Sequence, residues 1–213
     1  MISKGNITLG EVVKRLAKCP LEHDPGEKFT YGMSMDVLGY LIETVSGMPI
    51  SEFFQKRIFE PLGMNDTYFY LPDNKKDRIV TLYEKREPNS LLVVNNKENN
   101  VYQTFPVSGA KTLCSTGAGL NGTIEDSAKF CQMILNDGQF NNHRILGRKT
   151  FELMKKNAVG DLRGEIGFGL AFEIFTKRIP ATLQYQKVRF IGVGGSVPTM
   201  LSILKKILSF FIH

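Results

Sequence analysis

Residues 29–39 read FTYGMSMDVLG, and residues 61–67 read PLGMNDT. The turn residues Asp24-Pro25-Gly26-Glu27 precede the first stretch and lead the chain into Tyr31. Helical spacing begins at Ser34, which we expect to be the N-cap, and Gly47 follows as a C′ residue. One side of this helix is apolar and is expected to be buried, with the residues Val37, Leu38, Leu41, Ile42 and Val45.

Other stretches carry the apolar spacing, the caps or the stops of secondary structure. We expect helices over residues 7–18, 51–61, 123–138 and 150–157. Residues 67–108 are irregular, which predicts short strands and long loops. Alternating or continuous apolar residues predict strands at 168–175 and 183–191. Helices and strands in this order indicate an α+β fold.

The composition is that of an ordinary globular domain, with 213 residues, 42% hydrophobic and 23% charged. The net charge of +6 permits attraction to anionic partners. Basic residues are dispersed among acids, however, and the longest basic runs are pairs such as Lys75-Lys76. No helix-turn-helix, zinc-knuckle or aromatic-basic pattern is present, so we predict no nucleic-acid partner.

Cysteines and histidines are few and far apart. Cys19, Cys114 and Cys131 form no C-x-x-C pair, and we expect reduced or buried thiols. The three histidines, His23, His143 and His213, show no ligand spacing. The sequence therefore predicts no metal site and no cofactor.

The two ends of the chain bear on its location. No apolar run follows Met1-Ile2-Ser3-Lys4, so we predict no signal peptide and a cytoplasmic location. Residues 201–213 are apolar with Lys205 and Lys206 in the middle, and they are shorter than the ~20 residues of a membrane-spanning helix. This segment could lie on a membrane surface, but we favour a helix or strand packed on the domain.

The blocks at 29–39 and 61–67 resemble the serine β-lactamase-related family, which includes class C β-lactamases, penicillin-binding-like carboxypeptidases and family VIII esterases. With breaks, the resemblance extends from residue 7 to residue 199, through the blocks 117–126 and 167–170. It implies a β-lactamase/transpeptidase-like fold with an antiparallel sheet. It also implies one partial domain over residues 1–200, followed by the separate segment 201–213.

The family performs acyl transfer with a Ser-x-x-Lys nucleophile, a phenol and a backbone N–H on a strand. By resemblance, Tyr31 is the catalytic phenol, and Gly194, Gly195 and Ser196 line the oxyanion pocket. A free phenol has a pKa of about 10, so such a base needs a neighbouring lysine. The alternative interpretations are a half-buried turn tyrosine at Tyr31 and a simple turn or bulge at Gly194-Gly195. Val193 replaces a Trp, His or Lys of the family, which favours an ester over a β-lactam substrate.

The nucleophile is absent from its expected place. None of the 30 residues before Tyr31 forms a Ser-x-x-Lys motif. Ser108-Gly109-Ala110-Lys111 and Ser202-Ile203-Leu204-Lys205 do match the spacing, but they follow Tyr31, and we attribute both to chance, with Ser108 placed in a loop.

The resemblance therefore implies a serine hydrolase, most like an esterase, that is incomplete at both ends and weakly active or inactive alone. Its substrate would be a small ester or amide. The alternative is a non-catalytic remnant that acts as a binding module. The sequence predicts no oligomeric state.

Overall fold

A computed structural model describes residues 6–81, 83–87, 90–93, 101–109, 111–164, 166–170, 172–175 and 188–189. The chain divides into two compact units. The first unit comprises Met1–Cys19, Met33–Phe53 and Asp66–Gly122, and the second comprises Pro20–Gly32, Phe54–Asn65 and Thr123–His213. The predicted boundary at residue 200 and the segment 201–213 lie outside the described residues.

The helices follow one another along the chain with short connections. They are α1 (Leu9–Leu16), α2 (Ser34–Ser46), α3 (Ile50–Phe54), a π-helical segment (Gln55–Phe59), α4 (Glu60–Leu62), a 3₁₀ helix (Asp73–Arg78), α5 (Val101–Ser108), α6 (Ile124–Leu135) and α7 (Arg148–Met154).

The strands are short, and all of their pairings are antiparallel. They are β1 (Thr67–Tyr68), β2 (Tyr83–Glu87), β3 (Ser90–Val93), β4 (Asn121–Gly122), β5 (Gln139–Phe140), β6 (His143–Arg144), β7 (Ile166–Phe168), β8 (Glu173–Phe175) and β9 (Val188–Arg189). The pairs are β1 with β4, β2 with β3 and β5 with β6, and β8 lies between β7 and β9.

Side-chain caps and left-handed glycines set several helix ends. The Thr123 hydroxyl accepts from the Asp126 N–H at 3.2 Å and begins α6, as predicted. Gly47, at φ 67°, ends α2 as predicted. Ser34, in contrast, is the first helical residue of α2, and Met33 takes the N-cap position without a side-chain hydrogen bond. The predicted N-cap at Ser34 is therefore wrong by one residue.

The predicted burial of the apolar side of α2 is also wrong. Asp36 and Gly39 are the buried residues of this helix, whereas four of the five apolar residues are exposed. The physical reason is a polar anchor on the opposite side: the Asp36 carboxylate accepts from the Thr116 N–H at 2.9 Å. Gly39 lies so close to Thr116 that a Cβ would come within 2.4 Å of its hydroxyl oxygen.

The predicted helix over residues 51–61 extends from Ile50 to Leu62 in three segments. Pro61 lies in its last turn, and Gly63 follows in the left-handed conformation at φ 65°. The Gly63 carbonyl accepts from Lys129 Nζ at 2.6 Å, and Leu62 and Met64 on either side are buried. The block PLGM thus combines a helix stop with two core residues of the second unit.

Residues 67–108 contain the short strands that were predicted, but the loop prediction is wrong at its end, where α5 forms. Two contacts within the first unit attach this helix to Tyr70 and Leu71. The Phe105 ring lies 5.2 Å from the Tyr70 ring, and the Pro106 carbonyl accepts from the Leu71 N–H at 2.9 Å. Ser108 was expected to lie in a loop, and this prediction is wrong, because Ser108 is the last residue of α5.

The core of the second unit lies between α6, α7 and the segment before Asn65. Its buried members are Phe59, Leu62, Met64, Cys131, Met133, Ile134, Phe151 and Phe172. The predicted strand over 168–175 is a hairpin of β7 and β8, because the chain turns between Phe168 and Glu173. Only Val188 and Arg189 of the predicted strand 183–191 are described, and both lie in β9.

Candidate active site

Tyr31 lies in an exposed segment between a turn and the start of α2. The turn forms as predicted: the Glu27 N–H donates to the Asp24 carbonyl at 3.1 Å, and Gly26 has φ 87°. Tyr31 itself is 71% exposed, so it is not a half-buried turn tyrosine. Its phenol is accessible to a reacting group.

Phe29 anchors the segment two residues before Tyr31. Its ring lies 5.3 Å from the ring of Phe168 on β7, at a tilted angle of 53°. The Arg163 guanidinium lies over both rings, 4.7 Å from the Phe29 centroid and 5.3 Å from that of Phe168. The three side chains form one stack within the second unit.

An ion pair orients the arginine of this stack. Arg163 Nη2 donates to Glu173 Oε1 at 2.8 Å, and both side chains are largely buried. Arg163 Nη1 is buried without a hydrogen-bond partner among the residues that the structure describes. An unpaired buried donor costs free energy, which the cation–π contacts and the ion pair must offset. The stack is therefore a specific arrangement, and its arginine was not singled out from the sequence.

His23 makes a second attachment of the tyrosine segment. Its Nδ1 lies 3.0 Å from the Asp24 carbonyl, and its Nε2 lies 2.8 Å from the Thr30 hydroxyl. A carbonyl only accepts, so Nδ1 carries the proton, and in the neutral ring Nε2 accepts from Thr30. Thr30, which precedes Tyr31, is thus hydrogen-bonded to His23, which precedes the turn.

In the first unit, a buried carboxylate anchors the loop at Thr116 and Gly117, where the block 117–126 begins. Asp36 Oδ1 accepts from the N–H groups of Thr116 at 2.9 Å and Gly117 at 3.4 Å. The Thr116 hydroxyl donates to the Met35 carbonyl at 2.6 Å. A Cβ on Gly117 would lie 2.9 Å from Asp36 Oδ2. The glycine is needed for this close approach of loop and helix.

Tyr70, in the first unit, has a phenol that is chemically different from an exposed one. The Tyr70 hydroxyl donates to the Leu113 carbonyl at 2.6 Å, and burial raises the pKa of Tyr70 to about 12. This phenol stays protonated and is held as a donor, so it cannot act as a base near neutral pH.

The other predicted parts of the site are not brought together by the described residues. Gly194, Gly195 and Ser196 lie outside them, as do Val193 and the Ser202 motif. Ser108 is exposed at the end of α5, and Lys111 has a left-handed backbone at φ 58°. Within the described ranges, no group of three His, Cys, Asp or Glu side chains could hold a metal ion.

Comparison with known proteins identifies the family. The family described as Beta-lactamase matches residues 3–206, which is nearly the whole chain. The chain belongs to the β-lactamase family. Protein Rv1367c of Mycobacterium tuberculosis strain H37Rv is 31% identical over 146 residues, which cover 68% of this chain and 35% of that protein.

Two solved structures share the fold. EstCE1, described as a hydrolase with promiscuous acyltransferase activity, is 24% identical with a TM-score of 0.67, covering 81% of this chain and 47% of EstCE1. Simvastatin synthase LovD from Aspergillus terreus is 22% identical with a TM-score of 0.65, covering 81% and 47%. These similarities confirm the α+β, β-lactamase-like fold. The chain spans 35% of Rv1367c and 47% of each of the two structures.

Within this β-lactamase-family chain, the described residues present a phenol on an anchored, exposed segment. No helix in the described part of the chain is long and apolar enough to cross a membrane. A phenol that is fixed through its neighbours and open at its own oxygen can exchange a proton with a group placed beside it.

Proposed function

We propose that this chain carries the tyrosine part of an acyl-transfer site in a serine hydrolase most like an esterase. Tyr31 is the proton-transferring phenol, and the backbone of Gly194, Gly195 and Ser196 supplies the oxyanion donors. The substrate is a small ester or amide. Membership of the β-lactamase family supports this proposal, as does the esterase-like sequence around Tyr31.

The exposure of Tyr31 is the observation that carries the proposal. Phe29 packs its ring against Phe168 and Arg163 and so anchors this segment. Tyr31 is 71% exposed beside this anchor. The chain thus keeps the phenol accessible next to a side chain that holds the backbone in place.

In the proposed reaction, a serine hydroxyl adds to the ester carbonyl while its proton passes to the phenol oxygen of Tyr31, which the lysine of a Ser-x-x-Lys motif would hold ionised. The phenol returns that proton to the departing alkoxide, which leaves as the alcohol. Water then attacks the acyl-serine by the same proton path and releases the acid. The negative carbonyl oxygen of each intermediate accepts from the backbone donors.

The serine of this scheme has no Ser-x-x-Lys candidate before Tyr31 in the 213 residues. We therefore propose that the chain by itself is weakly active or inactive, because loss of the nucleophile removes several powers of ten in rate. The substrate preference for esters rests on Val193, which can offer neither charge nor a side-chain hydrogen bond to a carboxylate.

The test is hydrolysis of a p-nitrophenyl ester by two proteins. The first is the purified 213-residue chain, from which we expect a rate close to that of buffer. The second is a fusion of the chain to the part of EstCE1 that lies outside the matched stretch. In the fusion we expect Tyr31→Phe to lower kcat about 100-fold or more. Tyr83→Phe, at another exposed tyrosine, is the matched control and should leave the rate unchanged.

Two results would contradict the proposal. An active fusion that keeps its rate after Tyr31→Phe would exclude the phenol from proton transfer. Turnover by the 213-residue chain alone that is abolished by Tyr31→Phe would show that the nucleophile lies within these residues.

A further inference from the structure

Arg163 contacts the tyrosine segment, defined as residues 29–31, and the β7–β8 hairpin at the same time. Its guanidinium carbon lies 4.7 Å from the Phe29 ring centroid and 5.3 Å from that of Phe168. The two rings are 5.3 Å apart and tilted by 53°. A cation over two tilted rings is attracted to both faces, so the strength of the contact depends on where each ring lies. The arginine therefore bridges two parts of the second unit that are far apart in the sequence.

The hairpin side of this bridge is held in place by its own hydrogen bonds. The Phe168 N–H donates to Asn157 Oδ1 at 3.1 Å, and the Phe168 carbonyl accepts from the Ala158 N–H at 2.7 Å. Phe168 and Glu173 are cross-strand partners, which places their side chains on one face of the hairpin. Glu173 Oε1 accepts from Arg163 Nη2 at 2.8 Å. The guanidinium is thus oriented by groups outside the tyrosine segment.

The tyrosine side of the bridge is held through the neighbours of Tyr31, which is itself 71% exposed. The Thr30 hydroxyl lies 2.8 Å from His23 Nε2. His23 belongs to the same stretch, Pro20–Gly32, so this bond closes a local loop and does not reach the hairpin. The Phe29 ring, in contrast, attaches the stretch to the hairpin through Phe168 and Arg163.

We propose that Arg163 is a positioning residue for Tyr31. Oriented by Glu173, the arginine holds the Phe29 ring and thereby fixes where the phenol lies relative to the serine. The inference rests on the proposed function, in which Tyr31 transfers the proton. Proton transfer needs heavy atoms about 2.6–3.2 Å apart, and a displacement of about 1 Å can cost up to about 100-fold in rate.

The chemistry of the ion pair favours positioning over a purely stabilising role. The Arg163 and Glu173 side chains are 26% and 12% exposed. A largely buried ion pair contributes little net stability, and an apolar pair of the same size would support the hairpin as well. A planar guanidinium paired with a carboxylate adds direction, because its plane is fixed while it contacts the rings. An apolar side chain would not be fixed in this way.

The first experiment uses the 213-residue chain and needs no hydrolysis. Limited trypsin digestion followed by mass spectrometry gives the rate of cleavage after Lys28, which is 68% exposed beside Phe29, and after Lys149 on α7. Arg163→Ala should speed cleavage after Lys28 about tenfold or more and leave cleavage after Lys149 unchanged, because local opening is independent of unfolding of the unit.

Two variants are measured beside Arg163→Ala. Arg163→Lys keeps a positive charge for Glu173 but lacks the flat guanidinium, so it should speed cleavage after Lys28 about threefold or more. Arg57→Ala, at an exposed arginine of the same unit, is the matched control and should change neither cleavage rate.

The second experiment uses the fusion with EstCE1 and a p-nitrophenyl ester. Arg163→Lys should lower kcat about tenfold and change KM less than about twofold, because a displaced phenol slows proton transfer without altering the substrate contacts. In the Tyr31→Phe fusion, the added Arg163→Lys substitution should have no further effect on kcat, since the arginine acts through the phenol.

The proposal is overturned if neither Arg163 variant changes cleavage after Lys28. It is also overturned if both variants speed cleavage equally at Lys28 and Lys149, because Arg163 would then support the unit as a whole. A further loss of kcat in the Tyr31→Phe fusion would overturn it as well, since the arginine would act independently of the phenol. An inactive wild-type fusion would contradict the proposed function alone, and the cleavage rates would still decide whether Arg163 holds the tyrosine segment.

Discussion

At the scale of single residues, Phe29 and Tyr31 divide two tasks between positions two apart in sequence. Phe29 packs against Phe168 and Arg163, and Tyr31 remains exposed. In an extended backbone, side chains two apart lie on the same side. The irregular backbone before α2 is what lets one ring be anchored and the other remain accessible.

Cysteine reactivity is a prediction at this scale. Burial raises the pKa of the Cys131 thiol to about 11, and the residue is 2% exposed, whereas Cys19 is exposed. At pH 8 about one Cys131 thiol in a thousand is ionised, and the thiolate is the reactive species. We expect a disulfide reagent to label Cys19 in the native chain and to reach Cys131 only after unfolding.

Peptide mapping by mass spectrometry after a timed quench measures both sites in one sample. Cys114, whose pKa burial also raises, should react more slowly than Cys19. Labelling of Cys131 as fast as that of Cys19 under native conditions would contradict its place in the core.

At the scale of elements, the Asp36 carboxylate holds α2 against the loop after Leu113, together with the hydrogen bond from the Thr116 hydroxyl to the Met35 carbonyl. Asp36 is 6% exposed and accepts from Thr116 and Gly117. The sequence block DVLG therefore has a structural part, because Asp36 and Gly39 both face this loop. Val37 and Leu38, which lie between them in the sequence, are exposed.

Asp36→Ala tests this pairing. Removing the carboxylate leaves the Thr116 N–H without its acceptor, and we expect a loss of about 1–3 kcal/mol in the free energy of unfolding. Urea denaturation followed by circular dichroism measures it. Asp77→Ala, at an exposed aspartate of the same unit, should change the value by less than about 0.5 kcal/mol. Equal effects of the two substitutions would show that the bond is not a stabilising contact.

At the scale of the whole molecule, ion pairs determine how stability changes with pH. The hydrogen bond from Lys75 and that from Arg78 lower the pKa of Asp66 below its ordinary value of 3.8. The hydrogen bond to Asp66 in turn raises the pKa of Lys75. A carboxyl with a lowered pKa contributes stability above its ordinary pKa and loses that contribution as the pH falls through the folded value.

We therefore expect the Tm of the chain to fall as the pH is lowered below about 4. Asp66→Asn should lower the Tm at pH 7, and the difference should shrink as the pH falls through the lowered pKa of Asp66. Differential scanning calorimetry at several pH values gives both curves. A difference that persists unchanged in acid would point to lost packing and not to lost charge.

Much of the fold could be predicted from residues close together in sequence. The turn at Asp24–Glu27, the start of α6 at Thr123 and the end of α2 at Gly47 depend on bonds within about four residues. The helix α5 was missed because its residues have the aromatic and β-branched composition of a strand, and its contacts with Tyr70 and Leu71 come from thirty or more residues away. Local composition does not contain those contacts.

The candidate site could be predicted only as a motif. The spacing around Tyr31 indicated the phenol, but nothing local indicated that Arg163 and Glu173 would complete the anchor of Phe29. Arg163 and Glu173 lie more than 130 positions after Phe29 in the sequence. A single arginine has many possible partners over such a separation. The pairing of β7 with β8 places Phe168 opposite Glu173, and Arg163 contacts Phe29 and Glu173 from the segment before β7.

The sequence by itself determined the family, the turn and the helical segments other than α5, because each depends on short-range chemistry or on a block of adjacent residues. The tertiary structure decided which side of α2 faces inward and which side chains hold the tyrosine segment. Periodicity states that a helix has an apolar side, but not what covers it. Burial is decided by partners distant in the chain, and at α2 the buried carboxylate of Asp36 and the close approach of Gly39 outweighed four apolar side chains.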